Sequence, residues 1–269
     1  MSIKLVTIDV DGTLLNRNRV ITDKVKQAIA QAKSIGVKIV VTTGRPYLGI
    51  VEILKELSLT DPGDYVITYN GGMILAADTG EEVFRKGLTH SDYLRLDSLA
   101  TTLGISSHAV TATHLYTSNR DVSPFTVEES FVGGVPLGFR SRAEMKLESE
   151  IIKMMFVGES DILREVVSQV PLDIQQDFTT VLSSPNFFEI LHKEVSKGQG
   201  LIQLAKQLGI PLKETMAIGD AENDLSMLEA AGLAIAMGNA VPQVVAVSDF
   251  KTTSNDEHGV AVALEKFVL

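Results

Sequence analysis

Ile3-Lys4-Leu5-Val6-Thr7-Ile8-Asp9-Val10-Asp11-Gly12-Thr13 is a short apolar run that ends in two carboxylates, a glycine and a hydroxyl. The run Ile3–Val10 reads as a strand buried on both faces, the pattern of a parallel sheet covered by helices. Asp9 and Asp11 are two apart, so on extended backbone their side chains leave on the same side. Carboxylates that close repel unless a cation or a proton separates them. Such a pair suits nucleophilic chemistry at phosphorus. One carboxylate stays ionised on a metal and attacks, and the other gives a proton to the leaving oxygen and then takes one from water. Gly12 lets the chain turn tightly. Asp-Gly is also a common turn pair, so the run alone leaves a plain solvated turn open.

Outward from this run, apolar strands alternate with helical patterns. Thr22 reads as an N-cap, and Val25, Ile29, Ala32 and Ile35 recur at helical spacing until Gly36. Val37–Thr42 predicts a second buried strand, Pro46–Leu57 a second helix and Asp64–Tyr69 a third strand. That order implies a parallel sheet with right-handed crossovers. The C-terminal part repeats it: a helix from Lys197 to Leu208 ending at Gly209, a strand Thr215–Ile218, a helix Glu222–Ala231, a strand Leu233–Ala236 and a helix Glu257–Phe267. The middle mixes helical stretches (Ser91–Leu103, Ser160–Val170) with β segments (His114–Thr117, Ile151–Val157, Thr179–Leu182). The expected organisation is an α/β parallel-sheet core over 1–82 and 188–269, with an inserted α+β domain over 83–187.

Ligands of open parallel sheets bind beyond the carboxyl ends of the strands. Three more polar clusters fall there. Thr43-Gly44-Arg45 follows the second strand, and a hydroxyl with free N–H groups at a helix start is a ready phosphate site, although Thr43 before Pro46 also suits a plain N-cap. Lys197-Gly198 opens a helix and supplies a cation, although a lone lysine is more often exposed. Gly219-Asp220-Ala221-Glu222-Asn223-Asp224 gathers oxygens that suit Mg2+, although acids also favour a helix N-terminus for its dipole. Together the clusters offer a nucleophile, an acid/base, a hydroxyl, a cation and a metal site, the inventory of phosphoryl transfer.

Bulk properties agree. The chain has 269 residues, 45% of them hydrophobic, and a formal net charge of −10. That acidity disfavours nucleic acid and anionic membranes as partners. The absence of cysteine excludes disulfides, thiol catalysis and Cys-bound zinc. No stretch approaches a membrane span, and the N-terminal run is not a signal peptide. The expected location is the cytoplasm. No histidine has metal-ligand spacing, and His90 reads as a helix cap. Met154-Met155-Phe156 reads as core of the insertion.

In this combination and order, Asp9-Val10-Asp11-Gly12-Thr13-Leu14-Leu15, Thr43-Gly44-Arg45-Pro46, Tyr69-Asn70-Gly71, Lys197-Gly198, and Gly219-Asp220 through Asn223-Asp224 with Met227 resemble the haloacid dehalogenase (HAD) superfamily, in particular its Cof-type sugar-phosphate phosphatases. The resemblance covers essentially the whole chain. It implies a HAD-like core with a cap of the C2B type, Mg2+ as cofactor and a small phosphorylated metabolite as substrate, with no obligate protein partner evident. By the same resemblance Asp9 is the nucleophile that becomes an aspartyl-phosphate. Asp11 is the general acid/base and lends its backbone carbonyl to the metal. Thr43, Gly44, Lys197, Asn223 and the backbone of Val10 hold phosphate. Asp220 binds the metal, and Asp224 stands where the family has an indirect or second-shell metal ligand. Only 31 residues separate Asp11 from Thr43, too few for a cap between them, so the cap is the later insertion. Such caps close over the site and exclude water. Arg45, Asn70, Gly71, Asn119 and Arg120 are the candidates for contact with the organic part of the substrate, an ordinary polar loop being the other reading of Asn119 and Arg120. A phosphomutase, a phosphotransferase and a metabolite-binding module without turnover are the alternatives to hydrolysis.

Overall fold

The computed structural model describes residues 2–145 and 150–269. In chain order the first elements are β1 (Leu5–Ile8), α1 (Asp23–Ser34), β2 (Lys38–Thr42), α2 (Val51–Glu56), β3 (Tyr65–Thr68), β4 (Met73–Ala76) and β5 (Glu82–Arg85). The insertion follows with α3 (His90–Leu103), β6 (Ser106–Thr111), β7 (Leu115–Thr117), α4 (Pro124–Gly133), β8 (Leu137–Phe139), β9 (Ile151–Val157), α5 (Ser160–Gln169), α6 (Leu172–Asp177), β10 (Phe178–Ser184) and β11 (Phe187–His192). The chain then returns through α7 (Lys197–Gln207), β12 (Thr215–Gly219), α8 (Leu225–Ala230), β13 (Leu233–Ala236), α9 (Pro242–Val247), β14 (Phe250–Lys251) and α10 (Gly259–Phe267). It divides into two compact units, 1–84 with 196–269, and Arg85–Val195.

The first unit is built on an eight-stranded sheet of order β14-β13-β12-β1-β2-β3-β4-β5. The six strands from β14 to β3 run parallel, and β4 turns back antiparallel on β3. β1 lies between β12 and β2, with Leu5 opposite both Thr215 and Lys38. All four of its residues are buried, which is why its sequence is continuously apolar rather than alternating. From β1 the chain winds outward one way through β2 and β3, and after the insertion the other way through β12, β13 and β14. The reversal makes the carboxyl ends of β1 and β12 the switch point at which such sheets bind ligands.

Several expected bounds shift, each for a local reason. The strand of the opening run is Leu5–Ile8; Asp9 N–H still donates to the Ile218 carbonyl at 3.1 Å, and the turn begins at Val10. Pro46–Leu57 is not one helix. A 3-10 turn at Tyr47–Gly49 precedes α2, with Ile50 outside helical geometry after the poor helix former Gly49. Glu222–Asp224 is likewise a 3-10 turn before α8. The last helix starts at Gly259, since His258 takes a left-handed φ of 62°. Thr22 stands at the N-cap of α1, yet its hydroxyl contacts His258 Nδ1 at 2.9 Å and not the helix. Thr89, not His90, caps α3, in a reciprocal box with Asp92.

The second unit is a six-stranded sheet of order β10-β11-β9-β6-β7-β8. Its central strand β9 is wholly buried. Met154 and Phe156 join Ala109, Ile190 and Phe188 in a core with Tyr93 and Leu96 of α3 and Leu163 and Val166 of α5. Sequence patterning puts the end of the insertion at 187. β11 continues beyond it, because Phe187–Leu191 pair with β9 and with β10. β6, α4 and β11 are absent from the sequence reading, their patterns being short and mixed. Among the described residues no helix is long and apolar enough to cross a membrane.

Candidate active site

Asp9 is the first residue after β1 and is buried. Lys197 opens α7, where the Ser196 side chain caps the helix by accepting from Gln199 N–H. Lys197 is fully buried, against the usual fate of lysine. Its Nζ donates to Asp9 Oδ1 at 2.5 Å and to Asp224 Oδ1 at 2.6 Å. Asp224 is equally buried, and its other oxygen accepts the backbone N–H groups of Asp220 (2.9 Å) and Ala221 (3.0 Å). Asp220, at the end of β12, accepts the Thr13 hydroxyl on Oδ1 at 2.7 Å. Gly12 makes room for it: a Cβ there would lie 2.3 Å from Asp220 Oδ2, on a backbone whose φ is already +88°. Gly219 is as confined, since its Cβ would fall 2.6 Å from the Asp224 side chain.

Asp9, Asp220 and Asp224 each bring an oxygen within 4.8 Å of the others. Burial pushes the Asp9 carboxyl up to about 8, with Lys197 pulling it down and Asp224 and Asp220 adding to the rise. Burial likewise pushes Asp220 up to about 6, partly opposed by the Thr13 hydroxyl. Burial works to lower Lys197, but Asp9 and Asp224 outweigh it and hold the ammonium above the ordinary lysine range. Three carboxyl groups thus share one buried ammonium, an excess of acidic over basic groups. The carboxyls are hard oxygen donors, and that excess is of the sign a divalent cation corrects, so the residues fit Mg2+.

The Asp11 carboxylate lies outside this group. It is exposed and takes the fork of Arg45, with Nε at 2.9 Å and Nη2 closer still. The β2 end contributes Thr43, whose hydroxyl accepts Arg45 N–H at 3.1 Å. Tyr69, Asn70 and Gly71, beyond β3, have φ of 51°, 56° and 95° in succession. Positive φ at a tyrosine is strained backbone that the surroundings must hold. Here Asn70 N–H donates to Thr43 carbonyl (2.9 Å) and Tyr69 N–H to Arg45 carbonyl (3.2 Å). Asn70 is thereby held against Gly44, where a Cβ would meet its amide at 3.1 Å, and Asn70 Oδ1 accepts from Asn223 Nδ2 at 3.2 Å. Gly71 packs on Ser196, which leaves no space for a side chain. The loops after β1, β2, β3 and β12 and the start of α7 thus meet. Val10 is buried in the first of them.

Asn119 and Arg120 belong to the second unit. The Asn119 side chain accepts Ser107 N–H at 2.8 Å and Thr117 Oγ1–H at 3.2 Å, tying β6 to the end of β7, and Arg120 is exposed. Two participants escape the sequence reading. Ser226 Oγ accepts Gly198 N–H at 3.0 Å and pins the start of α7. Asn239 reaches the Gly12 carbonyl. Its signal was present, since Gly238-Asn239 follows the apolar strand Leu233–Ala236 as the other clusters follow theirs.

The haloacid dehalogenase-like hydrolase family matches residues 6–264. The chain belongs to that family. Among HAD relatives, a Streptococcus pyogenes serotype M6 protein named "Putative phosphatase M6_Spy0533" is 44% identical over 269 residues, covering the whole of both chains. A Bacillus subtilis strain 168 protein named "Putative phosphatase YxeH" is 46% identical over 266 residues, 99% of this chain and 98% of that one. The solved structure of the HAD subclass IIB sugar phosphatase BT4131 superposes with a TM-score of 0.79 at 26% identity, over 98% of each chain. The parallel-sheet core with an inserted α+β domain is the HAD architecture, and the insertion is consistent with subclass II.

Proposed function

We propose that this HAD-family phosphatase hydrolyses small phosphate monoesters, sugar phosphates among them, with Mg2+ and through an aspartyl-phosphate on Asp9. The observation that carries this reading is the buried Lys197 shared by Asp9 and Asp224 at the switch point of the sheet. Asp9, Asp220 and Asp224, with the Asp11 carbonyl, are the groups that would hold the metal. The ion supplies charge neutralisation for the incoming phosphate and the attacking carboxylate.

Lys197 keeps the Asp9 carboxylate oriented through Oδ1 and leaves Oδ2 to attack. The new bond joins Oδ2 to phosphorus while the bond to the leaving oxygen breaks. Asp11 gives its proton to that oxygen. Water then attacks the phosphorus of the mixed anhydride, Asp11 takes the proton, and Asp9 is released with inorganic phosphate. For this role Asp11 exchanges Arg45 for the substrate oxygen, and Arg45 becomes free to meet the substrate. Thr43, Gly44, Asn223 and the Val10 backbone hold the phosphoryl oxygens, where positioning supplies most of the catalysis. Asn70 and Gly71 line the same loop cluster, and the insertion over 83–187, Asn119 and Arg120 included, selects the organic part. The neighbouring sugar phosphatase BT4131 supports the substrate class. An acidic surface and a chain without cysteine suit the cytoplasm.

Purified protein with Mg2+ is expected to hydrolyse p-nitrophenyl phosphate, to lose activity in EDTA, and to lose it as Asp9→Asn. Turnover retained by Asp9→Asn at the wild-type rate would overturn the nucleophile. A kcat/KM screen over phosphorylated metabolites tests the sugar-phosphate class.

A further inference from the structure

We infer that Asn239 is a positioning residue that fixes the Asp220 carboxylate for the cation. Asp220 is the member of the acid group with the weakest support from within it. Asp9 and Asp224 are clamped by the buried Lys197, and Asp224 also by two backbone N–H groups. Among the described residues the Asp220 carboxylate accepts from neither Lys197 nor a backbone N–H, and Asp220 is only part-buried. Its carboxylate is oriented by Thr13 on Oδ1 at 2.7 Å and faces Asn239 Nδ2 across 3.5 Å on Oδ2. The same amide donates to the Gly12 carbonyl at 2.8 Å.

Asn239 therefore binds the turn after β1 while standing over the acid after β12, and it does so from the loop after β13. Its own orientation is fixed in turn, since Asn239 Oδ1 accepts Asn255 N–H at 3.0 Å. The Asn255 side chain closes the ring by donating to the Leu15 carbonyl at 2.8 Å. Val241 N–H holds the backbone carbonyl of Asp220 at 2.9 Å. The contact of Asp220 Oδ2 with the Gly12 backbone is so close that no Cβ fits. The Gly12 peptide and the carboxylate must consequently move together, and Asn239 is the side chain that bridges them. Outer partners of this kind set how closely a carboxylate is preorganised, and their loss commonly costs about 10–100-fold in metal affinity or activity. Asn239 itself is exposed, so its removal opens no buried void, and an exposed hydrogen bond contributes little to global stability.

This inference rests on the reading of Asp9, Asp220 and Asp224 as the Mg2+ site. The experiment is calorimetric titration of the intact chain with MgCl2 alone, for wild type, Asn239→Ala and Asn239→Gln, with thermal unfolding of each in EDTA and in Mg2+. Asn239→Ala is expected to bind Mg2+ about tenfold more weakly, to match the wild-type Tm in EDTA, and to show a smaller Mg2+-induced rise in Tm because the ligand is less saturating. Asn239→Gln, which keeps an amide, falls between the two and gives the comparison if the alanine chain does not fold. Equal Mg2+ affinity in wild type and variants overturns the role of Asn239 alone and leaves the proposed function standing. A fall in Tm that is the same in EDTA and in Mg2+ marks a loop tie and overturns it too. Absence of Mg2+ binding by the wild type overturns the metal reading, and this inference with it.

Discussion

Lys197 has a fully buried ammonium with two carboxylates within 2.6 Å, and its sequence context gives no hint of that burial. Breaking a buried ion pair from one side leaves uncompensated charge and typically costs about 3–5 kcal/mol. Lys197→Met is therefore expected to lower the denaturant unfolding free energy by that order and to abolish phosphate-ester hydrolysis. Unchanged stability in a denaturation curve would contradict the arrangement of charges described. Asp11 teaches the opposite lesson. Its spacing from Asp9 suggests a shared site, yet its side chain is exposed and forked by Arg45. A two-residue spacing puts side chains on one side only while the strand lasts, and β1 ends at Ile8.

At the scale of elements, the loop beyond β3 links strain to position. Tyr69 and Asn70 adopt left-handed backbone so that Asn70 meets Thr43, Gly44 and Asn223, and Gly71 fits against Ser196 at the start of α7. Gly71→Ala would put a Cβ 2.1 Å from the Ser196 carbonyl oxygen, on a backbone with φ of +95°. Backbone has little freedom to retreat, so a loss of about 1–3 kcal/mol is expected by analogy with overpacking. The loss should appear in thermal unfolding together with a raised KM for the phosphate ester. A variant that keeps the wild-type Tm would show that the loop and α7 can separate. Fold class was legible in the alternation of apolar runs with helical periods, because buried parallel strands must be apolar throughout. The β4–β5 edge and the insertion's β6, α4 and β11 were not, since polar residues such as Ser106, Ser107, His108 and Glu189 interrupt their apolar patterns and tertiary contacts decide their burial.

The molecule as a whole carries a titrating group outside the site. His108, on β6, is buried among the insertion's residues, with Nδ1 at 3.0 Å from Thr126 Oγ1 and Nε2 without a hydrogen-bond partner. Burial, reinforced by Lys153, pushes its imidazole down to about 3. The unfolded chain then binds a proton near pH 6.5 that the folded one refuses, so stability falls as pH drops from about 6.5 toward 3. By pH 5 the cost is about 2 kcal/mol by linkage. His108→Gln is expected to flatten this acid limb in urea unfolding followed between pH 7 and 5, and an unchanged slope would remove His108 from the account.

By itself the sequence determined the parallel α/β core, the order of its polar strand ends and the residue types gathered there. These follow from local periodicity and from the burial that every strand of such a sheet requires. Only the tertiary structure decided which of those ends meet. It buried Lys197 between Asp9 and Asp224, turned the Asp11 carboxylate away to Arg45, and brought Asn239 from the far end of the chain onto the turn at Gly12. The physical reason is that proximity across loops depends on strand order and crossover direction, which no short window of sequence encodes.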